Sequence, residues 1–106
     1  MIIIKYNAKI SEEALENNLK RIINQVYKLL PNREEGNDWE KPLSTLIEEI
    51  AGMDRLLLEN HEIFFCLLCK LEGMLTLTRE EDFLLFRRTI FECLSLLSEL
   101  KKKCLE

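Results

Sequence analysis

Residues 83–100 read FLLFRRTIFECLSLLSEL and decide the fold class, because their apolar residues recur with the period of an α-helix. One stripe comprises Phe83, Phe86, Ile90, Cys93, Leu94, Leu97 and Leu100. Leu84 with Phe91, and Leu85 with Leu96, extend this stripe around both flanks. A helix that is apolar on so many sides must be covered by more than one neighbour, from its own chain or from a second copy.

Three further helices are predicted upstream. The first follows a Ser11 cap and ends before Pro31, with a face made of Leu15, Leu19, Ile22, Ile23, Val26, Tyr27 and Leu30. Asp38 caps the second, the third begins near His61, and Thr78 with Glu81 forms a capping box for the fourth. Residues 53–58 either continue the second helix past Gly52 or start a fifth. The pattern predicts an all-α, antiparallel bundle of four to five helices, in a single domain over residues 1–106.

A short amino-terminal strand is predicted at Ile2–Tyr6, which is rich in β-branched residues. Its partner is either Met74–Thr78, where apolar and polar residues alternate, or the same segment of a second copy.

Composition favours a folded protein in the cytoplasm. Of the 106 residues, 47% are hydrophobic and 32% charged, and no uncharged apolar run is long enough for a membrane span or a signal peptide. The four cysteines are then expected to be thiols. The formal net charge of −4 disfavours non-specific nucleic-acid binding. A nucleic-acid-binding protein would need a local patch such as Lys101–Lys103, used together with Arg87 and Arg88, although lysines in the last turn of a helix also offset its dipole.

Small residues on the third helix predict a dimer interface. Cys66 and Cys69 have the spacing of half a zinc site, but no matching second pair of ligands follows, so no metal is predicted. With Gly73 they form a strip that lets another helix approach closely. The predicted homodimer interface combines this strip with the flanks of the fourth helix: Cys66, Cys69, Gly73, Leu84, Leu85, Phe91 and Leu96.

The loop around the only tryptophan is the predicted partner-binding site. Its residues are Arg33, Glu34, Glu35, Asp38 and Trp39. An exposed aromatic beside an arginine is typical of binding anchors. The alternative, which we favour, is that Trp39 closes the end of the bundle above a solvated loop.

Charges near the apolar stripes give two hypotheses. Asp54 or Glu72 pairs with Arg87, within the bundle or across a subunit boundary, unless Arg87 extends its guanidinium to water. A magnesium-dependent helical nucleotide hydrolase would use Glu48, Glu49 and Asp54, but their spacing departs from the one that such enzymes use. His61 has no nucleophile beside it and is expected to be a surface or capping residue.

The segments LLPNREEGNDW at 29–39 and FLLFRR at 83–88 resemble small helical proteins of bacteriophages and prophages. The resemblance implies an accessory role, such as modulating host machinery, and brings no catalytic residues. We therefore predict a non-catalytic, protein-binding accessory or regulatory protein that acts as a homodimer without a cofactor. The magnesium-dependent hydrolase and the nucleic-acid-binding protein are the two alternatives.

Overall fold

Four α-helices account for most of the residues that the computed structural model describes, which are 12–56 and 60–105. They are α1 (Glu12–Glu34), α2 (Glu40–Leu56), α3 (His61–Met74) and α4 (Phe83–Leu105), the last preceded by a 3₁₀ turn at Glu80–Asp82. The all-α prediction is confirmed. The predicted strand at Ile2–Tyr6 and the Ser11 cap lie outside the described residues. None of the described helices is long and apolar enough to cross a membrane.

The prediction that α1 ends before Pro31 is wrong, since the helix runs one turn further. Pro31 cannot donate a hydrogen bond, yet its carbonyl accepts one from Glu35 N at 3.0 Å. The helix stops at Gly36, whose φ of +78° allows a left-handed turn. There Gly36 N donates to Arg33 O and Asn37 N to Asn32 O, the two bonds of a Schellman motif.

The α1 face is also shifted relative to the prediction. Leu29 is fully buried, whereas Tyr27, which was expected on the apolar face, is 56% exposed. Leu29 falls seven residues after the buried Ile22 and therefore lies on the same side of the helix.

Capping of α2 by Asp38 is confirmed, because its Oδ1 accepts hydrogen bonds from Glu40 N at 3.1 Å and Lys41 N at 3.3 Å. Gly52 does not interrupt the helix, which continues to Leu56.

The α3–α4 connection corrects two predictions. Met74 is the last residue of α3 and residues 75–79 form turns and irregular backbone, so Met74–Thr78 is not a strand. The local alternation reflects a helix end and a turn. The cap of the fourth helix lies one residue later than predicted: Arg79 N donates to Asp82 Oδ2 at 3.2 Å, and Asp82 N donates to Arg79 O at 3.0 Å.

The helices form a closed ring around one core. Each helix packs on two others, in the order α1, α2, α3, α4 and back to α1, and the molecule measures 45 × 22 × 20 Å. The side chains at its centre include Leu19, Leu29, Leu43, Leu46, Ile50, Phe64, Leu67, Leu71, Phe86, Ile90 and Leu97. Arg33 at the end of α1, Trp39 before α2 and Phe86 in α4 meet at one end of the ring, which we call the Trp39 end.

Candidate partner-binding cleft

Arg33 organises the Trp39 end. Its guanidinium carbon lies 4.9 Å from the ring centroid of Trp39 and 4.5 Å from that of Phe86. The same group donates hydrogen bonds to Leu77 O and, at 2.7 Å, to Arg79 O. Arg33 therefore links the last turn of α1 to the α3–α4 connection, and its guanidinium interacts with carbonyl oxygens and aromatic faces.

Trp39 packs inward. Its indole is only 9% exposed and meets Phe86 edge to face, with ring centroids 4.9 Å apart. This is the arrangement of the alternative interpretation, in which the tryptophan closes the end of the helical ring. Trp39 therefore offers only a small part of its surface to a partner, at the wall of the cleft described next.

An open cleft of about 850 Å³ adjoins Arg33 and Trp39. It is lined by Arg33, Glu34, Trp39, Thr78, Glu80, Glu81, Phe83 and Leu84. The structure thus brings together three of the five predicted partner-binding residues. The other two serve locally: Asp38 caps α2, and Glu35 Oε2 accepts a hydrogen bond from Asn37 Nδ2 at 3.3 Å.

Sequence reasoning missed the half of the cleft that belongs to the α3–α4 connection. The run Thr78–Glu81 carries a helix-start signal, which explains its acidic residues without a binding role. Only the fold shows that this helix start faces the end of α1, more than forty residues earlier in the chain.

Carboxylates dominate the rim of the cleft. Glu81 pairs with Arg79 at 3.1 Å. Glu34 and Glu80 are exposed and have no ion-pair partner among the described residues. The cleft therefore presents two unpaired negative charges beside an apolar floor made by Trp39, Phe83 and Leu84.

On α4, the residues of the predicted dimer interface point in two directions: Leu85 and Leu96 share one side of the helix, and Leu84 and Phe91 share another. Cys66, Cys69, Gly73, Leu84, Leu85 and Phe91 are exposed, and Leu96 is half-buried. At 3.6 residues per turn, Leu85 and Leu96 are about 20° apart around α4, whereas Leu85 and Phe91 are about 120° apart. Leu85 shares a groove with Gly73, next to the Lys70–Glu92 ion pair at 3.3 Å that joins α3 to α4. Leu84, 76% exposed, lines the cleft instead.

The predicted pairing of Asp54 with Arg87 does not form within the chain. Asp54 Oδ1 lies 2.6 Å from His61 Nδ1, next to the start of α3. Arg87 is exposed, with its guanidinium carbon 5.2 Å from the ring centroid of Phe91. Glu72 is exposed as well. Arg87 thus reaches the surface, as the alternative interpretation has it, and gains a ring contact there.

The carboxylates of the hydrolase hypothesis are not brought together. Glu48 is exposed, Glu49 Oε2 lies 2.9 Å from Arg21 Nη1, and Asp54 contacts His61. The Glu49 contact is an ion pair without an aligned hydrogen bond, since that oxygen is buried and accepts none. In the described part of the chain, no three His, Cys, Asp or Glu residues are grouped so that they could hold a metal ion.

The basic residues of the nucleic-acid hypothesis are also separated. Arg87 and Lys102 are fifteen positions apart on α4, which corresponds to about 22 Å along the helix. Lys103 Nζ lies 3.5 Å from Glu99 Oε1.

Three cysteines among the side chains that the structure describes are free thiols, and their surroundings differ. Cys66 and Cys69 are exposed on α3, whereas Cys93 is buried in the core. Burial raises the pKa of the Cys93 thiol to about 12; nearby Lys70 opposes this shift and Glu92 adds to it. Cys93 therefore behaves as a small apolar core residue at neutral pH.

Comparison with known proteins gives no relative: no family model, no curated protein sequence and no solved structure matches the chain.

Proposed function

We propose that this protein is an antiparallel four-helix bundle that binds a protein partner at the Trp39 end and does not catalyse a reaction. The observation that carries the proposal is the open cleft of about 850 Å³, with Leu84 76% exposed at its edge. Its volume is in the range of sites that bind ligands. Contiguous apolar surface in water, here Leu84 with the half-buried Phe83, is typical of interaction surfaces.

The chemistry of the lining residues favours binding over catalysis. They supply one arginine, one threonine hydroxyl and three carboxylates, together with Trp39, Phe83 and Leu84. The guanidinium of Arg33 is already engaged by two carbonyls. The histidine of the chain, His61, lies in the first turn of α3 and contacts Asp54 in α2 instead of lining the cleft. An apolar floor with a charged rim is the usual composition of a protein-binding surface.

The wider role remains a proposal as well. We propose a cytoplasmic accessory or regulatory protein of bacteriophage type, which associates as a homodimer through the groove beside Gly73 and Leu85. This surface is separate from the cleft, because Leu85 points about 100° away from Leu84 around α4. A dimer would therefore leave the cleft accessible.

Site-specific photo-crosslinking tests the binding proposal. A photoreactive phenylalanine analogue replaces Leu84 in one variant and Phe65 in a matched control, since both side chains are more than 60% exposed and only Leu84 lines the cleft. In host cells, we expect a defined heteromeric adduct from position 84 that position 65 does not give. The purified partner should then form the same adduct in vitro. Equal labelling at both positions, or none at either, would contradict partner binding at this end.

A further inference from the structure

We propose that the occupant of the cleft is a basic peptide segment of the partner, with lysine or arginine side chains flanking one large apolar side chain. This inference rests on the proposed function and names the partner's chemistry. It is carried by three features of the cleft: an apolar floor, a rim with unpaired carboxylates, and an arginine that is not available to an anionic ligand.

The floor can hold one large apolar side chain. Trp39, Phe83 and Leu84 line the cleft, and Leu84 is exposed to 76%. Covering such a side chain with an apolar group of the partner removes both surfaces from water, which is the main favourable contribution in protein association. The volume of about 850 Å³ exceeds a single side chain and fits a short segment.

The charge of the Trp39 end is complementary to a cationic segment. Residues 33–41 and 79–82 together carry seven carboxylates and three cationic side chains. This surplus of four negative charges equals the formal net charge of the whole chain. A concentration of one charge sign around a cleft attracts ligands of the opposite sign and speeds their association.

The position of Glu34 is unfavourable for the fold itself. Glu34 is the last residue of α1, at the negative end of the helix dipole, so a carboxylate there is repelled. Glu80 stands instead at the start of the helical segment that leads into α4, where a negative charge is stabilising. A cationic ligand would relieve the repulsion at Glu34, and residues that oppose local stability are found preferentially at functional sites.

Arg33 does not favour an anionic ligand. Its guanidinium donates to Leu77 O and Arg79 O and lies against the Trp39 and Phe86 rings. An anion at the cleft would have to compete with these contacts and would meet Glu34 and Glu80 on the rim. The cleft therefore selects against acidic segments.

Selection from a random library of short peptides on the immobilised full-length protein tests the inference. We expect the enriched peptides to carry a surplus of Lys and Arg and one aromatic or large aliphatic residue. For one labelled peptide, fluorescence anisotropy should show about 1.5- to fivefold weaker binding to Glu34→Gln and to Glu80→Gln, the range for single exposed ion pairs. The control Glu48→Gln removes the same charge from the exposed side of α2 and should bind as the wild type does.

The outcomes separate this inference from the proposed function. Peptides that bind wild type but not Leu84→Ser, and that are neutral or acidic, would overturn the basic segment while supporting the cleft as a binding site. If no selected peptide depends on Leu84, both proposals fail. Leu84→Ser replaces an exposed side chain, so the variant is expected to fold. Concentration-dependent self-association that is lost in Leu84→Ser would show that a second copy fills the cleft, and would also overturn the inference.

Discussion

Replacing Arg33 with methionine should destabilise the protein, because Met keeps the length of the side chain but loses the guanidinium. Arg33 donates to two backbone carbonyls, one part-buried at Leu77 and one exposed at Arg79. Hydrogen bonds from charged donors contribute about 1.5 kcal/mol or more where burial limits access of water, and less where the acceptor is exposed.

The ring contacts add to this value. Two cation–π contacts, to Trp39 and Phe86, contribute about 0.5 kcal/mol each at a partly exposed site. Hydrogen bonds and ring contacts together reach about 3 kcal/mol, of which the methionine recovers a part by packing on the same rings. The expected loss is about 2 kcal/mol, or roughly 8–16 °C in Tm for a chain of this size.

Urea unfolding measures this loss, with far-UV circular dichroism for the helices and the fluorescence of Trp39 as a local probe at Arg33 itself. Arg33→Lys should fall between wild type and Arg33→Met, because an ammonium group keeps the charge but cannot reach both carbonyls in a planar fork. Arg88→Met is the control, since Arg88 is exposed on α4 and has no partner among the described residues. If Arg33→Met stays within about 0.5 kcal/mol of wild type, the organising role of Arg33 is refuted.

Three other predictions concern the core, the glycines and the assembly. Burial raises the pKa of Cys93 from 9.0 to about 12, so the thiol ionises first in the unfolded chain. The wild type should therefore lose stability relative to Cys93→Ala as the pH rises from 9.0 towards about 12, by up to about 1.4 kcal/mol per pH unit. Urea midpoints measured across this range would contradict the argument if the difference between the two proteins stayed constant. Gly36→Ala should lower the free energy of unfolding by about 1 kcal/mol because φ is +78°. In the isolated subunit an added Cβ at Gly73 meets nothing within 4 Å, so Gly73→Ala should stabilise α3 by about 0.5–1 kcal/mol. Thermal unfolding of both variants at low protein concentration tests the two opposite signs. Light scattering of the wild type should give twice 12.6 kDa, and Leu85→Ser should halve this mass while Phe91→Ser does not, since only Leu85 shares the groove with Gly73. A wild-type monomer at high concentration would remove the basis for the dimer.

The sequence pattern correctly predicted features that depend only on residues close together in the chain, such as a helical stripe and a helix cap. The apolar stripe of α4 is confirmed by burial of Phe86, Ile90 and Leu97, and Asp38 caps α2 as expected. Both features follow from spacings of three or four residues, which local sequence contains in full. The all-α class follows from the same repeats.

Errors arose where contacts from distant parts of the chain decide the structure. Pro31 usually ends a helix, but here the next turn is held by Arg33, whose partners at Leu77 and Arg79 lie more than forty residues away. The alternation at Met74–Thr78 matched a strand, but the backbone amides of residues 75–77 donate to carbonyls three residues earlier and so form turns that continue the end of α3. The acidic half of the cleft could not be predicted for the same reason: Glu34 and Glu80 become neighbours only when α1 packs on α4.

The ring order of the helices gives the α1–α4 contact a special status. Three of the four helix pairs join segments that follow one another in the chain, so forming each of these pairs closes only a short loop. The α1–α4 contact instead closes a long loop that contains α2 and α3, because α1 and α4 do not follow one another in the chain. Arg33 stabilises one end of this contact through its hydrogen bonds to Leu77 O and Arg79 O and its contact with the Phe86 ring. Transient separation of α1 from α4 should therefore begin at the opposite end of the bundle and reach the Trp39 end last.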